Sequence, residues 1–90
     1  MTAAGYYVTI ESSAAKTLIK INRADQRRIS EKIKALGADP RPNGCVKLTG
    51  AEDAYRIRVG EYRVVYLIED AIRVITITRI GHRRDIYERM

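Results

Sequence analysis

Within the 90-residue chain the apolar pattern passes from helical spacing to strand alternation after one turn-forming stretch, and that change limits the fold more than any other feature. Between Ser12 and Leu36, apolar residues recur at helical spacing in two segments. After the turn-forming stretch DPRPNG, Asp39 to Gly44, they alternate with polar residues at the period of a strand. A chain this short is one domain, residues 1–90, so both halves must share one core. The expected class is therefore α+β.

Ahead of the helical half, YYVTIE alternates Tyr6, Val8 and Ile10 against Tyr7, Thr9 and Glu11, which predicts a first strand. Ser12 or Ser13 is placed to cap a helix whose Ala14, Ala15, Leu18 and Ile21 share one face. Asn22 or Asp25 is placed to cap a second helix through Leu36, with Ile29, Ile33 and Leu36 toward the core. Gly37 is the expected left-handed stop, and Pro40 prevents resumption. The short break between the two segments predicts a helical hairpin. Val46 to Leu48 reads as a short extended piece. Strands follow at Tyr55–Val59, Tyr62–Ile68 and Ile72–Ile80, joined by hairpin turns at Gly60-Glu61 and Glu69-Asp70. The expected order is β-α-α-β-β-β: an N-terminal helical hairpin on one face of a curved, mainly antiparallel sheet. The other face is left open.

Lys and Arg outnumber Asp and Glu by 17 to 11, giving a net charge of +6 and calling for an anionic partner. Cys45 is alone, which rules out an intramolecular disulfide and fits a reducing compartment. The start, MTAAGYYVTIESS, has neither the basic residues nor the apolar run of a signal peptide. The longest apolar run, Val64 to Ile68, is too short to span a bilayer. The chain is expected in the cytoplasm, without membrane attachment.

Several chemistries lack their residues. A single His and a single Cys cannot supply a four-ligand structural zinc site, and the scattered glycines form no phosphate loop. No serine sits in a nucleophile elbow, and no paired-carboxylate signature occurs. Neither a metal nor an organic cofactor is expected.

What remains is cationic. Strand alternation sends Tyr55, Ile57 and Val59 toward the helices and Arg56 and Arg58 to the open face, about 7 Å apart. Arg63, across the hairpin turn, is expected on the same face near Arg58. Guanidinium groups held this close repel one another unless an anion lies among them, and their planar fork suits phosphate. The C-terminal IGHRRDIYERM then gathers His82, Arg83, Arg84 and Tyr87 after the last strand. Together these residues suit RNA cleavage without metal. That reaction needs a base for the 2′-OH, cations for the dianionic transition state and an acid for the departing 5′-oxygen. Arginine remains protonated, so proton transfer falls to Tyr87 or His82.

The helical hairpin, YRIRVGEYRVVYLIED and VITITRIGHRRDIY together closely resemble the RelE/ParE superfamily of bacterial toxin–antitoxin toxins, on the RelE side. The resemblance covers nearly the whole chain. It implies the fold expected above and an endoribonuclease that cuts messenger RNA in the ribosomal A site, arresting translation. It assigns catalytic roles to Arg56, Arg58, Arg63, Arg83 and Tyr87, with His82 a further proton-transfer candidate and Arg84 an RNA contact. It implies a small, acidic cognate antitoxin from an adjacent gene, with operator DNA contacted only through that antitoxin. The best-known ribosome-dependent members carry lysine where this chain has Arg56 and Arg58. Arginine cannot shuttle protons as lysine can, so more rests on Tyr87 or His82. Alternatives on the same fold are a ParE-type gyrase inhibitor and a catalytically degenerate antitoxin-binding protein.

Overall fold

Alternation and helical periodicity become seven elements in the computed structural model, which describes residues 5–50 and 52–84. They are β1 (Tyr7–Ile10), α1 (Ser12–Ile19), α2 (Arg23–Leu36), β2 (Val46–Lys47), β3 (Ala54–Val59), β4 (Tyr62–Glu69) and β5 (Val74–His82). The five-stranded sheet has the order β1-β5-β4-β3-β2. The antiparallel meander β3-β4-β5 is as expected. β1 joins it in parallel beside β5, with Val8 opposite Ile75. Ile29, Ile33 and Leu36 of α2 and Ala14 of α1 meet Ile57, Val59, Val64, Tyr66, Ile68, Ile75, Ile77 and Ile80 in one core.

The helix ends meet the sequence expectation at α2, which Asn22 caps and which runs to Leu36, and depart from it elsewhere. Neither Ser12 nor Ser13 caps α1. The N-cap is Glu11, whose amide is still held in the sheet by the Ile77 carbonyl at 2.9 Å, so both serines fall inside the first turn. At α2 the cap is Asn22: its side chain accepts from the Asp25 amide at 2.9 Å, and its amide group donates back to the Asp25 carboxylate. Gly37 does not adopt the left-handed conformation; its φ is −60°. Close packing accounts for the glycine. Its carbonyl accepts from the Tyr6 amide at 2.7 Å, and a Cβ there would stand 3.1 Å from the Tyr6 carbonyl oxygen.

Two further expectations need correction. Glu69-Asp70 is not a two-residue turn, because β4 runs through Glu69, paired with Val74. The connection is Asp70 to Arg73, closed by a left-handed Arg73 with φ of 56°. Ile72 therefore lies outside the strand and is exposed. The sheet face away from the helices is not wholly open either. Beyond β2 the chain folds back, with the Leu48 amide on the Ala54 carbonyl, and Leu48, Ala54 and Val65 form a second small buried cluster.

Candidate functional site

Strand alternation in β3 buries Ile57 and Val59 under the helices and turns Arg56 and Arg58 to the opposite face. The Gly60-Glu61 turn, with Gly60 at φ of 60°, closes the hairpin so that Arg58 pairs with Arg63. Directly opposed residues hold their Cβ atoms about 5 Å apart, so these two cations are neighbours. In the adjacent row Arg56 pairs with Val65, and Val65 in turn with Arg79 of β5. Across from Arg63 lies Gly81, which adds no side chain to that row. Arg58 and Arg79 are exposed, while Arg56 and Arg63 are half-buried. Among the described residues, the side chains of Arg58 and Arg79 make no hydrogen bond or ion pair.

Arg79 was missed in the sequence, though a signal for it exists. Apolar residues facing the helices in β5 step from Ile75 to Ile77 and then by three to Ile80. A strict period of two cannot absorb that step. The register shift between Val65 and Tyr66 does, as a bulge at Thr78, whose hydroxyl donates to the Val65 carbonyl at 3.2 Å. Past the bulge Arg79 shares the arginine face and Ile80 returns to the core.

The C-terminal candidates divide. Arg83 lies by the β3–β4 turn: its amide donates to the Glu61 carbonyl at 2.8 Å, and its Nε is 2.7 Å from Glu61 Oε1. Both side chains are exposed, so the pair ties Arg83 to the β3–β4 turn more than it stabilises the fold. Arg84 is exposed and Tyr87 lies outside the described residues. His82, the further proton-transfer candidate, stands off the arginine face. It pairs with Tyr62, and alternation past the bulge turns both rings to the helix side, 5.5 Å apart and edge-on. Its Nδ1 accepts from the Arg84 amide at 3.2 Å.

A second polar cluster, also missed, braces the far end of the sheet. Asp70 accepts from the Tyr6 hydroxyl at 2.5 Å and from Arg41 at 2.9 Å, while Arg41 also donates to the Tyr55 hydroxyl and lies over its ring. The guanidinium of Arg41, then the Tyr6 hydroxyl, hold the Asp70 carboxyl below the usual carboxylate range. Tyr66, buried beneath, donates to the Pro40 carbonyl at 2.8 Å, and burial raises its pKa. Between this cluster and the arginines, a groove of about 520 Å³ runs from α2 to the β2–β3 edge. Leu36, Val46 and Ile57 line it, with Lys32, Arg56 and Arg58 along its walls. Among the described residues no three His, Cys, Asp or Glu side chains cluster to hold a metal.

A helical hairpin on this sheet, with cations gathered on its far face, has close relatives. The family model for the ParE toxin of the type II toxin–antitoxin system parDE matches residues 8–87, and the chain belongs to that family, within the RelE/ParE superfamily. A Methanocaldococcus jannaschii protein named "Putative toxin RelE1" is 28% identical over 86 residues, covering 92% of this chain and 96% of its own length. An Escherichia coli "Putative RelE-like toxin protein" is 30% identical, covering 91% and 90%. The toxin in the crystal structure of the archaeal RelE–RelB complex from Pyrococcus horikoshii superposes with a TM-score of 0.79 at 32% identity, covering 90% of this chain and 98% of that one. This chain is a RelE-like toxin of a type II toxin–antitoxin system.

Proposed function

We propose that this toxin is a metal-independent endoribonuclease that cuts messenger RNA in the ribosomal A site and so arrests translation. The observation that carries the reading is the register setting Arg58 directly across from Arg63, with Arg56 and Arg79 in the next row. Opposed cations destabilise a sheet, and a phosphate among them turns that cost into binding. In cleavage, the 2′-OH attacks the adjacent phosphorus, negative charge builds on the nonbridging oxygens, and the 5′-oxygen departs. Arg56, Arg58, Arg63 and Arg83 supply positive charge for that state. Tyr87 is the proton-transfer residue in this reading, because the register of His82 favours the helix side. Arg84 contacts the RNA backbone.

The cognate partner is an antitoxin presenting acidic and apolar residues, matched to the apolar groove with its Lys32, Arg56 and Arg58 walls. Operator DNA is contacted through that antitoxin. Expression without antitoxin tests the nuclease reading. The wild type should arrest growth with new messenger ends inside translated regions, and Arg63→Ala and Tyr87→Phe should remove both effects. Arrest that persists in both variants without messenger cuts would overturn it.

The ParE name of the matching family model keeps open a second reading, the ParE-type gyrase inhibitor named above as an alternative on the same fold. It predicts DNA damage signalling and trapped gyrase–DNA breaks on expression, with messenger intact.

A further inference from the structure

β1 pairs with β5 only from Val74 to Ile77, after which the chain turns away into α1. Beyond that point no strand among the described residues pairs with the outer side of β5, and a groove of about 370 Å³ lies between its Arg79–His82 segment and α1. Thr17 of α1 with Lys20 and Ile21 just past its end form one wall of the groove, opposite Arg79 and the Tyr62 and His82 rings. Arg79 thus occupies a boundary. By register it belongs to the arginine face, two residues from the position opposite Arg63, and it also borders the groove at the sheet edge.

We propose that Arg79 is a phosphate-binding residue outside the cleavage point, guiding the RNA strand off the arginine face toward the groove beside α1. The inference rests on the nuclease reading above and adds a subsite to it. Three features support it. Arg79 is exposed and its side chain makes no hydrogen bond or ion pair among the described residues. Gly81 leaves the path from Arg63 to Arg79 without an intervening side chain on β5. Lys20 adds a second cation where a following phosphate would pass. Arg79 lies a row away from the Arg58–Arg63 pair, so its role is to hold the strand and not to stabilise the reacting phosphate.

The test uses the purified full-length toxin and a short single-stranded 2′-O-methyl RNA, which binds but cannot be cut. Affinity is measured across a salt series for wild type, Arg79→Ala, Arg79→Lys and Arg27→Ala, the last an exposed arginine on α2. Arg79→Ala should lower the log–log salt slope by about 0.7, the loss of one phosphate contact on a single strand. Arg79→Lys should keep the wild-type slope, as should Arg27→Ala. In single-turnover cleavage on programmed ribosomes, Arg79→Ala should raise the half-saturating toxin concentration several-fold and leave the saturating rate within about twofold, the signature of a lost uniform binding contact. If wild type binds and cuts while Arg79→Ala keeps the full slope and half-saturation, the Arg79 subsite is wrong and the nuclease reading stands. A wild type that neither binds RNA nor cuts overturns both.

Discussion

At the scale of single residues, the arginine face sets stability against activity. Arg58 stands directly across from Arg63, and like charges in that position cost a sheet about 0.2–1 kcal/mol. Arg58→Thr removes the repulsion and adds a strand-favouring side chain. It should raise unfolding free energy by about 0.5 kcal/mol in urea titrations. The same variant should lose roughly 100-fold or more in cleavage rate, the usual cost of one transition-state donor. Lower stability together with full activity would contradict the assignment. Asp70 gives a second residue-scale prediction. Arg41 and then Tyr6 depress its folded pKa, so its contribution is complete above the unfolded value of about 4 and is lost as pH falls through the folded value. Asp70→Asn should therefore be less stable than wild type at neutral pH, and the gap should close in acid. A gap that is constant from neutral pH to strong acid would show that the carboxylate charge is not what matters. Legibility was uneven at this scale. Arg56, Arg58 and Arg63 could be read because simple alternation and a two-residue turn place them. The facing of His82 and of Arg79 was not legible for one shared reason, the bulge at Thr78, which resets facing for everything after it.

At the scale of elements, turns decide whether the cations meet. Gly60 has φ of 60°, and a Cβ built there would lie 2.9 Å from the Arg28 guanidinium. Gly60→Ala should cost about 1–2 kcal/mol in chemical denaturation, the penalty of a side chain in the left-handed region. Gly60→Asn should recover part of the loss, since Asn tolerates that region. Equal stability of all three proteins would mean that the hairpin register has another origin. Helix existence, the core faces of α2 and the β3-β4-β5 meander were all legible, because long periodic segments dictate them. Of the helix termini, the Asn22 cap and the Leu36 end of α2 were legible, and the start of α1 and the conformation of Gly37 were not. Glu11 keeps its sheet bond up to the first turn of α1, and Gly37 answers to the neighbouring Tyr6 backbone, both tertiary constraints that local propensity cannot reveal. The longer β4–β5 connection escaped for a similar reason. Asp70 is held by Tyr6 and Arg41, far from it in sequence.

At the scale of the molecule, a charge of +6 on one small domain needs an anionic partner, and the fold concentrates part of that charge on one sheet face. Antitoxin affinity should therefore weaken as salt rises, then level off at the part carried by apolar contacts in the Leu36–Val46–Ile57 groove. Isothermal titration over a salt series checks this, and salt-independent binding would separate the arginine face from that interface. The central claim is that this face and Tyr87 cut messenger RNA. Its most direct measurement is a reconstituted one: purified toxin, ribosomes programmed with a defined messenger, and mapping of the new 5′ ends. The account predicts a cut within the A-site codon by wild type and none by Arg63→Ala. Intact messenger beside wild-type toxin that still arrests growth would contradict it.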